Sequence, residues 1–367
     1  MKKILYLNFV PEREKGVLKK IKFQKKAVEN NGYLIETSEI KDDYFILKGD
    51  TLNCYKYGEN IFEKLKNKID DFLLFSKLKN KKFYKDIDII YMRYIGTLPW
   101  RLSYYKYLKK LGKKIVLEIA TYPYDGEVKK ENIFTKMDKK YRLELYKYID
   151  KIVTYSKDKE IFKVPCINIS NGIDLDEVKL VKKEKRNSCI VFTSVSTCAF
   201  WHGIDRILNS ILEYKKRGGN KELVFNIVGE GFETKKLKKI VEENPILQKI
   251  VIFHGFKSGR EIDEIYNNTD IAIGSLGIHR IKGLKEVQPL KNREYCAKGL
   301  PFIISFKDPD FINKDFVYSE ISNDDENFEI ARVIEWYKNL KTTPEEMREY
   351  SRKFSWDIQM KKVIDNI

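Results

Sequence analysis

Short apolar runs recur along the chain, separated by longer stretches in which apolar positions return at helical spacing. "KILYLNF" (3–9), "YLIETS" (33–38), "IDIIYMRY" (87–94), "KKIVLEIA" (113–120), "KIVTYS" (151–156) and "PCINIS" (165–170) are β-branched and aromatic and predict strands. Helical patterns fall between most of them, at 17–30, 60–78, 98–111 and 134–149. "DYFILKGDTLNCYKY" (43–57) breaks the alternation, and its two strand runs around Lys48-Gly49-Asp50 predict an inserted hairpin. The second half repeats the theme with "SCIVFTSV" (188–195), "ELVFNIVG" (222–229), "KIVIFHG" (249–255), "DIAIGS" (270–275) and "PFIISF" (301–306). Alternation of this kind predicts two α/β halves, each a doubly wound, mainly parallel sheet. Asn171-Gly172 in "NISNGIDLDEV" supplies a turn for the hinge, so the expected domains are 1–168 and 169–354. The last segment predicts two helices with a break near Phe354-Ser355, Trp356 opening the second.

Length agrees with that division, because cores split beyond roughly 250 to 300 residues and this chain has 367. No segment approaches the ~20 apolar residues of a membrane-spanning helix. The N-terminal apolar run is short and is followed by Glu12, Arg13 and Glu14, so it reads as a first strand rather than a signal peptide. Cys54, Cys166, Cys189, Cys198 and Cys296 are odd in number and scattered, which excludes a disulfide framework or zinc cluster and points to a reducing cytoplasm. The three histidines, His202, His254 and His279, show no metal-binding spacing. Net charge is +17, and residues 1–170 hold 38 Lys+Arg against 23 Asp+Glu, the remainder 33 against 31. A lysine-rich surface would account for the excess; so would an anionic partner of the first half, either a charged acceptor or a membrane surface. No nucleic-acid-binding signature accompanies the charge.

"EVQPLKNREYCAKGLP" (286–301) carries the densest chemistry. Pro289 suits the first turn of a helix, Gly299 its C-cap, and Pro301 blocks continuation, so a helix is expected over 289–298. Its amino end would present unpaired N–H groups at the C-terminal edge of a parallel sheet, where phosphates bind, with Lys291 adding a full charge. Glu286 and Glu294 flank that point. They are either surface charges or acceptors for sugar hydroxyls.

This stretch resembles the retaining GT-B glycosyltransferases, in particular glycosyltransferase family 4: Glu, seven residues, Glu, then a helix ending Gly-x-Pro. "SNGID" (170–174), "SVSTCAFWHGIDRIL" (194–208), "FNIVGEGFETKKL" (225–237) and "IFHGFKSGREIDEIYNNTDIAIGS" (252–275) are similar to further family segments in the family's order. The likeness covers 165–306 closely and the first half in general type only. It implies a GT-B fold, two Rossmann-like domains facing a cleft, with 355–367 crossing back to the first.

The resemblance implies that Glu294 binds ribose hydroxyls, Glu286 the donor sugar, and backbone amides of Val287 to Leu290 the β-phosphate. Pro289 removes one such amide. Family members hold the diphosphate with an Arg and a Lys-Gly pair after the first donor-domain strand; this chain has Ser196 and His202-Gly203 there. Arg280 and Lys291 are the expected replacements, with Lys285 in reserve. Gly229 and Gly231 either admit the nucleotide or serve a plain strand-to-helix turn, and Phe256 is either a wall for the base or a core residue. In the first domain, "VLEIATYPYDGE" (116–127) and Gly16 face the acceptor side, with Glu118, Tyr122, Tyr124 and Asp125 as candidates.

The expected activity is metal-independent, cofactor-free transfer of a hexose from a nucleotide sugar, UDP-sugar favoured, to a glycan or lipid-linked acceptor with retention of configuration. The leaving diphosphate would receive the acceptor proton, consistent with the absence of histidine from the first half. A cytoplasmic role in cell-surface polysaccharide synthesis, in peripheral contact with an anionic membrane and without nucleic acid, completes the expectation. The alternative is a catalytically silent GT-B scaffold partnering another glycosyltransferase, for which Ser196 and His202 speak.

Overall fold

The computed structural model describes every residue except 1, 55–60, 126–130, 183–188, 282–283 and 285, and describes 54 and 61–65 by backbone alone. Two compact units result, residues 1–170 with 356–367 and residues 171–355.

The first unit is built on β1 (Lys3–Leu7), β2 (Leu34–Thr37), β6 (Ile89–Arg93), β7 (Lys114–Ile119), β8 (Lys151–Thr154), β9 (Glu160–Ile161) and β10 (Val164–Asn168), in the order β2-β1-β6-β7-β8-β10-β9. Every pairing is parallel except β9 with β10. β3 (Glu39–Lys41), β4 (Tyr44–Leu47) and β5 (Asp50–Cys54) form a separate antiparallel sheet. Its expected hairpin turns at Lys48 (φ 52) and Gly49 (φ 82), the left-handed pair that a two-residue turn requires. Side chains of β1 alternate between two cores. Leu5 and Leu7 pack with Ile90, Phe75 and Tyr104, whereas Ile4 and Tyr6 pack with Tyr91, Val116 and Val153.

Helices α1 (Lys15–Asn30), α2 (Ile61–Lys77), α3 (Pro99–Lys110) and α4 (Ile133–Tyr141) follow the predicted pattern, with one difference. The stretch expected as one helix over 134–149 leaves α-geometry at Arg142 and continues as a 3-10 turn to Lys147. The change coincides with Arg142 turning back onto Asp125 through two bonds of 2.8 and 2.9 Å.

In the second unit, β11 (Cys189–Val195), β12 (Glu222–Val228), β13 (Val251–Gly255), β14 (Ile271–Ile273), β15 (Phe302–Ile303) and β16 (Val317–Tyr318) form one parallel sheet, order β13-β12-β11-β14-β15-β16. From β11 the chain moves outward one way through β12 and then the other way through β14. Outside the carboxyl ends of β11 and β14 therefore lies a topological switch point, the ligand-binding position of open α/β sheets. α5 (Ile204–Lys216), α6 (Thr234–Glu242), α7 (Pro245–Gln248), α8 (Arg260–Asn267), α9 (Leu290–Lys298), α10 (Ile330–Lys338) and α11 (Pro344–Ser351) complete this unit.

After α11 and a 3-10 turn, α12 (Trp356–Asp365) joins the first unit. Trp356, Met360, Val363 and Ile364 are buried in one cluster with Ile21, Ala27 and Val28 of α1. Asn30 at the end of α1 and Asn31 capping it donate to Asp357 at 3.0 and 3.1 Å. Among the described residues, no helix is long and apolar enough to cross a membrane.

Candidate functional site

α9 begins at the switch-point edge of the second sheet. Pro289 (φ −65, ψ 138) is extended and sits at its N-cap, one position before the expected place inside the helix, and Gly299 (φ 71) caps its end. The helix is anchored on most sides. Tyr295, Cys296 and Ala297 are buried among apolar neighbours; Arg293, itself buried, pairs with Asp308 at 2.9 Å and with Asp310. Its guanidinium lies over the rings of Phe311 and Phe354, and Asn292 donates to Asp308 at 2.9 Å. Lys298 reaches Asp263 at 2.7 Å. Such anchoring fixes where the amino end points, and the amides of Leu290 and Lys291 there have no intrahelical acceptor.

The loop after β11 supplies the facing group. Gly203 (φ 62) lies so close to the next loop that a Cβ would meet the Leu276 carbonyl carbon at 2.6 Å. Leu276 N–H donates to His202 O at 3.0 Å and Gly277 N–H to Trp201 O at 3.2 Å. Held in this way, His202 Nδ1 is 3.2 Å from Ser275 Oγ and 3.4 Å from Lys291 Nζ, while its Nε2 is 3.5 Å from Thr197 Oγ1. Burial, and then Lys291, push the imidazole far below its ordinary range, so it is neutral and accepts a hydrogen bond. Burial also brings the Lys291 ammonium down to about 7. Among the described residues no carboxylate pairs with Lys291. A half-buried cation without a counter-ion, at a helix amino end, is chemically suited to an anion.

The two carboxylates stand on either side. Glu286 bridges to Lys307, just beyond β15, and its Oε1 is 2.8 Å from Lys307 Nζ. Glu294 accepts from the buried Tyr266 hydroxyl of α8. The sequence reading missed Tyr266, Ser275 and Thr197; only the last two have a positional signal, Ser275 closing one predicted strand and Thr197 lying just after another.

Other expected donor-side residues are engaged differently. Arg280 was assigned to the diphosphate, but its guanidinium bonds Asp205 at 2.9 and 2.8 Å, Asp325 at 2.7 Å and Phe200 O at 2.9 Å. That leaves Lys291, among the described residues, as the expected cation found at the helix amino end. Lys285, and Lys282 before it, lie outside the described residues. Val287 N–H donates to Lys307 O at 3.4 Å, which turns it away from a phosphate role, whereas the Leu290 amide is at the helix start. At Gly229 (φ 105) and Gly231 a Cβ would lie 2.0 Å from Ser196 O and 1.7 Å from Thr197 O. These glycines therefore allow two loops to pack closely. Phe256 is 80% exposed, which removes the core alternative for it.

On the first unit Glu118 is corrected outright. Its carboxylate is buried and receives Tyr91 OH at 2.7 Å, Gln24 Nε2 at 2.8 Å, Tyr155 OH at 2.9 Å and Lys20 Nζ at 3.0 Å. Against the cost of burial, Lys20 and Arg93 hold it well below the usual carboxylate range. It ties α1 to the sheet and offers no oxygen to an acceptor. Tyr122 packs edge-on against Phe162, Asp125 is paired with Arg142, and Tyr124 OH donates to Asp138 at 2.8 Å. Gly16 lies in the first turn of α1, where a Cβ would meet nothing within 4 Å, so no steric demand requires glycine. Tyr124 and Asp125 line a cavity of about 540 Å³ together with Lys68, Arg93, Phe134 and Asp138. Among the described residues no three His, Cys, Asp or Glu side chains form a metal-binding group.

Residues 176–354 match the family described as Glycosyl transferases group 1. By sequence, no curated protein matches the chain. Solved structures of similar fold include the sucrose-phosphate synthase of Thermosynechococcus elongatus, 12% identical, with TM-score 0.63 over 100% of this chain and 98% of that one. The catalytic domain of Starch Synthase IV from Arabidopsis thaliana, a structure bound to ADP and acarbose, is 12% identical, with TM-score 0.61 over 100% and 97%. A putative UDP-N-acetylglucosamine 2-epimerase from Listeria monocytogenes is 11% identical, with TM-score 0.54 over 99% and 95%. At these identities the likeness shows the GT-B fold alone, two parallel-sheet α/β domains.

Proposed function

Starting from a Glycosyl transferases group 1 domain at 176–354, we propose that the protein transfers a hexose from a nucleotide sugar, UDP-sugar favoured, to a glycan or lipid-linked acceptor with retention of configuration. The observation that carries this reading is the Lys291 ammonium, half-buried beside neutral His202 at the α9 amino end with no carboxylate partner among the described residues. The donor diphosphate takes that place, between Lys291 and the amides of Leu290 and Lys291. Glu294, steadied by Tyr266, receives the ribose hydroxyls, and Glu286 those of the sugar.

In the transfer, the acceptor hydroxyl oxygen bonds to the anomeric carbon on the face from which the phosphate oxygen departs. The carbon–phosphate-oxygen bond breaks, and the acceptor proton passes to the leaving diphosphate. Lys291 and the helix amides stabilise the charge that grows there. The basic first unit binds the acceptor, and its exposed Ile69, Phe72 and Leu73 on α2 suit contact with an anionic membrane surface.

A thermal-shift series over UDP-, GDP-, ADP- and CMP-sugars, repeated with Lys291→Gln, tests the donor site; one nucleotide should stabilise the wild type and lose that effect in the variant. Product NMR then reads the anomer. Stabilisation without turnover across a range of acceptors would favour the silent-scaffold alternative, to which the neutral His202 in place of a cation lends support.

A further inference from the structure

The cavity of the first unit has a charge balance that its composition hides. Three acids and four cations line it: Asp125, Glu131 and Asp138 against Lys68, Arg93, Arg101 and Lys139. Each acid is already satisfied. Asp138 accepts from the hydroxyls of Tyr94 and Tyr124, both at 2.8 Å, and from Thr97 N–H. Asp125 is held by both terminal nitrogens of Arg142, and Glu131 pairs with Lys139. Arg101 is spent on Asp71, at 3.0 and 2.8 Å, and on the carbonyls of Ile95 and Gly96.

Lys68 differs. Its ammonium lies over the Phe134 ring, 5.2 Å from the centroid; among the described residues no carboxylate forms an ion pair with it, and the nearby Asp71 acts on it only through space, offsetting part of the effect of Arg101. Burial, and then the neighbouring Arg101, lower its affinity for a proton. Among the described residues Arg93 makes one long 3.4 Å contact, with Glu118, whose oxygens are already served by Lys20, Gln24, Tyr91 and Tyr155. A guanidinium carries five N–H donors, so most of Arg93's remain for another acceptor.

We propose that this cavity binds an acceptor through a phosphate or carboxylate group, with Lys68 and Arg93 as the anion-recognising pair and Tyr94, Tyr124 and Phe134 as the walls for its sugar ring. The proposal rests on the glycosyltransferase reading for the word acceptor, but the anion site stands on the first unit alone. The same chemistry comes from a soluble sugar phosphate or from the headgroup of a lipid, and the two are separable by experiment.

Glucose 6-phosphate and glucose are titrated into the whole protein, followed by tryptophan fluorescence, since Trp100 bonds Asp71 beside Arg101. Parallel sedimentation uses vesicles of phosphatidylcholine with and without phosphatidic acid. Expected is binding of glucose 6-phosphate or of the phosphatidic-acid vesicles, absence of binding by glucose or pure phosphatidylcholine, and a loss of roughly tenfold or more in Lys68→Gln and in Arg93→Gln. Binding of the sugar phosphate identifies a soluble source, and binding of the vesicles alone a lipid headgroup. Nucleotide binding, which uses the second unit, should be unchanged in both variants, and an unchanged near-ultraviolet circular dichroism spectrum shows that the first unit is folded in them. Equal binding of charged and neutral probes, binding of neither, or full binding in Lys68→Gln overturns the anion site. Loss of nucleotide binding by the wild type would overturn the donor reading and leave these titrations interpretable.

Discussion

If Lys291 is the cation that receives a diphosphate, ligand affinity must carry its titration. Free, the ammonium titrates at about 7, down from its ordinary 10.5. Bound to a diphosphate it regains a counter-charge, so its pKa rises and binding takes up a proton wherever the free amine is neutral. For a ligand that binds only the charged form, the free population falls between pH 6.5 and 8.5 such that affinity drops ~25-fold, about 1.9 kcal/mol. A nucleotide sugar is the right probe, because its diphosphate is a diester without a proton titrating in this range. Calorimetry at pH 8.5 in buffers of different ionisation enthalpy should report close to one proton taken up per ligand. Lys291→Arg should hold affinity and flatten the pH profile; Lys291→Gln should flatten it at an affinity lower by about 1.5–3 kcal/mol. Affinity constant to within twofold over that range, with no proton uptake, would refute the reasoning. The ligand-free chain supplies a sign check. A depressed lysine pKa costs stability in full below about 7, and the cost disappears as pH rises towards the unfolded value. Saturating donor should therefore raise the melting temperature more at pH 6.5 than at 8.5.

Other consequences are measurable. Glu294→Ala should weaken nucleotide binding by about 1.5–3 kcal/mol and weaken the free base little, since its carboxylate serves the ribose. Arg293→Met leaves Asp308 buried beside Asn292 without its cation; urea denaturation should show a loss of about 3–5 kcal/mol, part of it recovered in Arg293→Met with Asp308→Leu. Transfer should survive EDTA, because Lys291 and the α9 amides offset the diphosphate charge; loss of activity restored by a divalent cation would reject that account.

Repetitive patterns carried the fold. The central strands of the two large sheets, such as β1, β7 and β11, announce themselves because they are buried on two faces and read as apolar runs; the two-residue β9 at the edge of the first sheet gave no such signal. β16 escaped notice because two residues, Val317 and Tyr318, leave no period to read. The α9 boundaries were legible from Pro289 and Gly299, whose backbone limits are local. Partnerships were not. Arg280 and Lys291 look equally available in sequence, and only folding brings Asp205 and Asp325 to Arg280 while leaving Lys291 with His202. Glu118 looked like a loop-end acid; its donors come from α1, β6 and the residue after β8.

The last helix sets a constraint on how the molecule is made. Trp356, Met360, Val363 and Ile364 close the face of the first unit on which α1 lies, so residues 1–170 leave the ribosome with that apolar surface open. The first unit to be translated is the last to be finished, and the second can complete itself in the interval. A nick or frameshift near residue 355 would spare the second unit's own residues and injure the one encoded before it.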